Sequence, residues 1–308
     1  MNHTIATIAV LVASVFWGTT GTAASFAPDI SPFAIGAFAM GFGGVLLCLT
    51  SLTQLINNAS TLRKHYSLTL LGSACVAIYP LAFYTSMNSA GVAIGTVVSI
   101  ASAPLFTVLL EYLIEKKPIA TRWLVSFCFG AIGIGLIALG KEYNPATKGL
   151  FSQNIGILLG LIAGLTYAGY SWVAKRLISK GVHSRATMAS LFGGAACVLL
   201  PSLLITGDTL FATVTNTSVA LYMAIVPMFL GYWLFSIGLK TIAASQAVLI
   251  TLLEPIIATI LAIVVLNEQF QQIGWLGIGL VSVSLVIQTV NIKQFVNTLQ
   301  KTHIDDLR

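Results

Sequence analysis

The chain has 308 residues, a formal net charge of +6, and only 8% charged side chains against 57% hydrophobic ones. A soluble domain carries about 25% charged residues, so a water-facing surface cannot be assembled from this composition. That excludes a soluble enzyme and a nucleic-acid-binding reading of the positive charge, and it leaves a polytopic membrane protein whose architecture is set by the bilayer.

A hydrocarbon core needs about 20 apolar residues per helix. In chain order, such runs fall at roughly 4–24, 32–53, 67–87, 92–114, 122–140, 154–174, 187–206, 218–239, 245–266 and 272–292. Short polar breaks separate them, among them PDISP, EKKPIATR, KEYNPATKG and NEQFQQ. Links this short predict antiparallel neighbours. The predicted fold is therefore all-α, with ten transmembrane helices, called spans 1 to 10 below.

The basic residues orient these spans. With the N-terminus placed in the cytoplasm, the inside segments hold Arg63, Lys64, Lys116, Lys117, Arg122, Lys175, Arg176, Lys180, Arg185, Lys240, Lys293, Lys301 and Arg308, and the outside segments hold only Lys141 and Lys148. This is the asymmetry of the positive-inside rule. It predicts a multi-pass plasma (bacterial inner) membrane protein with both termini cytoplasmic. Lys175, Arg176 and Lys240 read as snorkelling anchors at span ends, and Trp123, Trp172 and Trp275 as interfacial aromatics. Glu111 is placed to pair with a nearby lysine.

Five spans precede KEYNPATKG and five follow it, and the halves resemble each other. Pro104 in SIASAPLFTVLL matches Pro255 in ITLLEPIIATIL, and each is followed by an apolar half-helix ending at an acid, Glu115 or Glu268. Each half has an odd number of spans, so the second enters the membrane upside down. Such an inverted-topology repeat commonly places a substrate site near the bilayer midplane, between the halves. The predicted domains are a first repeat at 1–143, a periplasmic linker at 144–152, a second repeat at 153–292 and a cytoplasmic tail at 293–308.

Ten spans in a five-plus-five repeat, FWG at 16–18, a proline in spans 4 and 9, LEP at 253–255 and NE after span 9 resemble the drug/metabolite transporter superfamily, EamA type, over essentially residues 4–292. The resemblance implies export, sometimes import, of small metabolites such as amino acids. The first-half proline departs from the second in following Ala103 rather than an acid, so no symmetric pair of acids is expected.

Glu254 lies about ten residues into span 9, near the bilayer centre. A charge there costs roughly 2.5–3.5 kcal/mol on insertion scales, so the side chain should face the bundle interior or a wet cavity. Pro255 lacks an N–H and takes the usual partner from the Thr251 carbonyl, as Pro104 does from that of Ile100. Both prolines are predicted hinges. Glu254 is predicted to accept a proton or a substrate amine; the competing reading is a protonated carboxyl that stabilises packing. Trp17, Tyr79, Tyr84, Ser99, Ser102, Tyr167, Tyr170, Trp233 and Thr251 are the candidate substrate-binding residues. Trp17, Tyr79 and Tyr167 lie deepest. Packing or interfacial roles are the alternative for each aromatic.

No phosphate-cradling GxxxxGK[ST] occurs, so this chain itself carries no ATP drive of that kind. An intramembrane enzyme would need a base or metal ligands at depth, but the four histidines lie in polar connections or tails, and Cys48, Cys75, Cys128 and Cys197 read as packing residues. No cofactor or metal is expected. The predicted partners are a small-molecule substrate and membrane lipid, with the chain as a monomer or homodimer. The sequence thus points to a secondary transporter working by alternating access, with multidrug or amine efflux and a nucleoside permease as alternatives.

Overall fold

The computed structural model describes residues 2–140 and 150–289. Within them, ten helical segments are long and apolar enough to cross a bilayer: His3–Ser25, Pro32–Thr50, Tyr66–Ala90, Ile94–Glu115, Thr121–Gly140, Ser152–Ser179, Ser184–Thr206, Val214–Leu239, Ala244–Leu266 and Gln272–Thr289. They coincide with the ten runs read from hydropathy. The predicted tail at 293–308 and most of the predicted linker lie outside the described residues.

Three of the spans are not single α-helices. Span 1 is α1 (His3–Gly18) and α2 (Thr20–Ser25), parted at Thr19. Span 8 is α10 (Val214–Met223), a π-helical stretch (Ala224–Gly231) that contains Pro227, and α11 (Tyr232–Leu239). Span 9 is α12 (Ala244–Ile250) and α13 (Leu253–Leu266), parted at Thr251–Leu252. The others are α3 (Pro32–Thr50), α5 (Tyr66–Ala90), α6 (Val92–Glu115), α7 (Thr121–Gly140), α8 (Leu150–Ser179), α9 (Ser184–Thr206) and α14 (Gln272–Thr289). The polar NNASTLRKHY break turns out to be helical: α4 (Leu52–Lys64) is too polar to span and follows span 2 after Ser51.

The helices meet through small residues, as expected where no hydrophobic driving force separates helix from lipid. On α8, Gly156, Gly160 and Gly164 fall four residues apart on one face. A Cβ on Gly164 would come within 2.8 Å of the Ser99 carbonyl oxygen on α6, and one on Gly160 within 2.9 Å of Ser86 Oγ on α5. α7 and α14 touch at Gly133 and Gly277, and Ser126 and Ser284 exchange hydrogen bonds there: each hydroxyl donates to the other's carbonyl, at 2.7 and 2.6 Å.

The pairing of spans has a two-fold regularity. Span 3 packs on 6 and span 8 on 1; span 4 on 6 and span 9 on 1; span 3 on 7 and span 8 on 2. Spans 2 and 7 pack together, as do 5 and 10. Exchanging each span for the one five places on maps this set onto itself. Spans 2 and 7 are also antiparallel: Cys48 late in α3 donates to the Ala189 carbonyl early in α9, while Gly41, at the middle of α3, lies against Leu199 and Leu200 further along α9. Two equivalent helices running in opposite directions is the relation that inverted copies require.

Among the described residues, all ten Lys and Arg side chains (Arg63, Lys64, Lys116, Lys117, Arg122, Lys175, Arg176, Lys180, Arg185 and Lys240) lie at one end of the bundle, around the junctions 64–66, 115–121, 179–184 and 239–244. The other end carries Asp29, Asp208 and Glu268. The two outside lysines of the sequence reading, Lys141 and Lys148, lie outside the described residues.

Candidate functional site

The irregular backbone of spans 1, 8 and 9 converges on one cavity in the bundle interior. Trp17 ends α1 where the helix breaks, Tyr232 opens α11 just after the π-helical stretch, and Glu254 sits in the first turn of α13 just after the break in span 9. Tyr79 precedes Pro80, a proline inside α5. Tyr167 and Tyr170 occupy one face of α8, three residues apart. The cavity has a volume of about 60 Å³ and is lined by Trp17, Thr20, Gly36, Met40, Tyr79, Pro80, Phe83 and Tyr84 from spans 1–3, and by Tyr167, Tyr170, Met228, Tyr232 and Glu254 from spans 6, 8 and 9. Each half therefore supplies three spans to the walls. Non-α segments inside membrane helices are tolerated where they line such a cavity, and π-turns recur at functional sites.

The rings form a continuous aromatic wall. Trp17 stands edge-on to Tyr167 at 6.5 Å and tilts over Tyr232 at 4.8 Å, and Tyr167 stacks on Tyr170 at 5.2 Å. Most of their polar atoms are already engaged. Trp17 Nε1 donates to the Pro227 carbonyl at 2.8 Å, and the Tyr167 hydroxyl donates to Thr251 Oγ1 at 3.0 Å. The Tyr170 and Tyr232 hydroxyls bond each other at 2.7 Å. Thr20 Oγ1 donates to the Trp17 carbonyl at 2.7 Å. Among the described residues no hydrogen bond or ion pair holds the Glu254 carboxyl or the hydroxyls of Tyr79 and Tyr84, so these three groups are left to face the cavity. Among the described residues no group of three or more His, Cys, Asp or Glu could hold a metal ion.

The sequence model of the EamA-like transporter family matches residues 4–139 and again residues 154–290. The chain belongs to that family. The double match gives each five-span half as one EamA-like unit, and the protein is a membrane transporter of this family. An uncharacterized transporter, YwfM, of Bacillus subtilis is 31% identical over 288 residues, covering 93% of this chain and 94% of its own length. Protein PecM of Dickeya dadantii is 24% identical over 277 residues, with 88% of each chain covered. A crystal structure with 16% identity superposes with a TM-score of 0.78 over 94% of this chain and 98% of that one, which shows the fold.

Within the EamA-like bundle, Trp17, Tyr79, Tyr84, Tyr167, Tyr170 and Glu254 from the sequence reading come together around the cavity. Thr251 stands one layer behind, accepting from Tyr167 and donating to the Val248 carbonyl at 2.7 Å. Ser99, Ser102 and Trp233 do not line the cavity. Ser99 Oγ donates to the Gly95 carbonyl at 2.7 Å and Ser102 Oγ to the Ser99 carbonyl at 3.3 Å, on the α6 face that the glycines of α8 close off. Trp233 turns away, under the Arg185 guanidinium at 4.8 Å. The sequence reading passed over Tyr232, Phe83, Met40 and Met228, whose types are those of ordinary membrane packing. Tyr232 had a signal, in lying five residues after the in-span Pro227.

The hinge expectation needs one correction. Pro104 lies inside an unbroken α6. The break in span 9 falls at Thr251–Leu252, one turn before Pro255, and the Thr251 carbonyl expected to be unpaired accepts the Glu254 N–H at 2.9 Å. The chain tightens into a short turn there, because a carbonyl denied the proline N–H takes the nearest donor. Two of the expected interfacial tryptophans, Trp123 and Trp172, are also buried. Trp123 Nε1 donates to the Ser245 carbonyl at 3.2 Å.

Proposed function

We propose that this EamA-like protein is a secondary transporter of the plasma (bacterial inner) membrane, with both termini cytoplasmic, that exports small metabolites such as amino acids by alternating access. Glu254 binds the substrate amine or a proton in turn, which couples outward substrate movement to inward proton movement. The observation that carries the reading is the position of Glu254: a carboxyl without a partner among the described residues, at a break in a membrane helix, in a cavity walled by both halves.

Further features support it. The cavity volume of about 60 Å³ is smaller than the roughly 150 Å³ of a dry cavity that accommodates benzene. A metabolite therefore enters only if the walls part. The breaks in spans 1 and 9 and the π-helical stretch of span 8 give the walls places to bend, and an antiparallel pair of five-span halves gives two equivalent ways of parting them. The clustering of basic residues at one end supports placing that end in the cytoplasm.

The test is a metabolite screen by thermal shift on the purified protein, followed by counterflow in proteoliposomes with and without a pH gradient. The reading expects exchange of at least one screened amine-bearing metabolite, accelerated by an opposing proton gradient. Glu254→Gln should lose that acceleration; a variant that keeps both rate and pH dependence would refute the coupling.

A further inference from the structure

We infer that the substrate is an organic cation, a protonated amine without a free carboxylate, seated with its ammonium against Glu254 and its body against the ring faces of the cavity. The inference rests on the proposal that this cavity is the transport site; among small metabolites it selects amines and sets aside free amino acids, the example given there.

The polar groups of the walls decide the sign of the ligand. The Trp17 N–H and the Tyr167 hydroxyl donate to Pro227 and Thr251, and of the Tyr170 and Tyr232 hydroxyls one donates to the other, which keeps its own O–H. Among the described residues, what is left for a ligand is Glu254, the phenols of Tyr79 and Tyr84, and the remaining O–H of the Tyr170–Tyr232 pair. Among the described residues no Lys, Arg or His lines the cavity. A carboxylate on the ligand would thus meet at most three neutral donors, the phenols of Tyr79 and Tyr84 and the one O–H left over in the Tyr170–Tyr232 pair, in a site whose own fixed charge is negative when Glu254 is ionised. A buried anion without a counter-charge is unfavourable. An ammonium finds its counter-ion in Glu254 and, in the same space, the negative faces of the surrounding rings. When the amine leaves, a proton takes its place and Glu254 becomes neutral, so the site never holds an uncompensated charge.

The experiment compares four probes that share one phenyl side chain and differ in charge: phenethylamine and phenylalanine methyl ester (cations), phenylalanine (zwitterion) and 3-phenylpropionate (anion). Binding to the purified full chain in nanodiscs is measured by calorimetry, and exchange by counterflow in proteoliposomes. Both cations should bind at least about tenfold more tightly than phenylalanine, a ratio equivalent to about 1.4 kcal/mol, and 3-phenylpropionate should be weakest. The methyl ester is the sharpest arm, because in mildly acidic buffer, where its amine is protonated, it differs from phenylalanine only in masking the carboxylate. Glu254→Gln should erase the preference, and Glu254→Asp, which keeps the charge if the Gln variant misfolds, should retain it. Phenylalanine binding as tightly as its ester, none of the four binding, or a preference that persists in Glu254→Gln would each overturn the inference. Cations that bind without exchanging would leave the inference standing and sink the transport reading. Phenylalanine that exchanges where the amines do not would do the reverse.

Discussion

Tyr170 and Tyr232 meet hydroxyl to hydroxyl at 2.7 Å, joining span 6 to span 8 across the cavity wall. Tyr170→Phe leaves the Tyr232 hydroxyl without its partner in a buried setting, a loss of about 1 kcal/mol, and should lower the melting temperature in detergent. The double variant Tyr170→Phe/Tyr232→Phe should be less destabilised than the sum of the single changes, because removing both hydroxyls leaves nothing unsatisfied; strict additivity would show that the bond does not hold the wall. Glu254 and the deepest aromatics were legible in the sequence, because an acid in a 20-residue apolar run has few places to go. Ser99, Ser102 and Trp233 were not resolvable by type alone. Whether a serine faces a cavity or bonds back to its own helix depends on what packs against that face. The glycines of α8 that decide it for Ser99 and Ser102 stand some 60 residues further along the chain.

At the scale of elements, the broken span 9 is held at its start by a side chain from the other half. Glu111 of α6 is 5% exposed; its Oε2 accepts the Ser245 hydroxyl at 2.5 Å and its Oε1 the Ser245 N–H at 3.3 Å, at the first turn of α12. A carboxylate suits the positive end of a helix. Glu111→Ala would strand these buried donors, at about 1–3 kcal/mol, and loosen the segment that leads to Glu254; Glu111→Gln, which keeps an acceptor, should lose less. Equal melting temperatures for wild type and both variants would remove Glu111 from this role. A second cap titrates. His183 Nδ1 accepts the Arg185 N–H at 3.3 Å at the start of α9, and burial, then Lys240 and Arg185, push its pKa below the usual histidine value. The folded chain therefore binds fewer protons than the unfolded one as histidine titrates. This contribution to stability is complete above the unfolded value of about 6.5 and fades as pH falls through it toward the lowered folded value. The melting temperature of His183→Asn should fall less between pH 7.5 and pH 5.5 than that of the wild type. Packing on α8 gives another test: Gly164→Leu overfills the contact with α6, at about 1–3 kcal/mol, and should lower yield and melting temperature, where Gly135→Leu, whose Cβ meets nothing within 4 Å, should not. The spans themselves were legible from hydropathy alone. Their interruptions were legible only in part: Pro255 announced the break in span 9 but not that it falls one turn earlier, and Pro104, at the matching place in the first half, lies in an unbroken helix.

For the whole molecule, two five-span halves wall one acid-bearing aromatic cavity, and the proposed mechanism requires that it open to each side of the membrane in turn. Hydropathy made the span count readable, a property of long stretches, and the matching segments around Pro104 and Pro255 made the two-half plan readable. The pairing of spans 2 with 7 and 5 with 10 was not, because no local pattern names a distant partner. The most direct measurement replaces Cys48, Cys75, Cys128 and Cys197 with alanine, introduces Thr20→Cys in the cavity wall, and follows its labelling by a membrane-impermeant thiol reagent applied from the cytoplasmic side or from the opposite side. The account predicts labelling from both sides, with a transported amine on one side shifting the ratio between the two. Labelling confined to one side under every condition, with or without substrate, would contradict it.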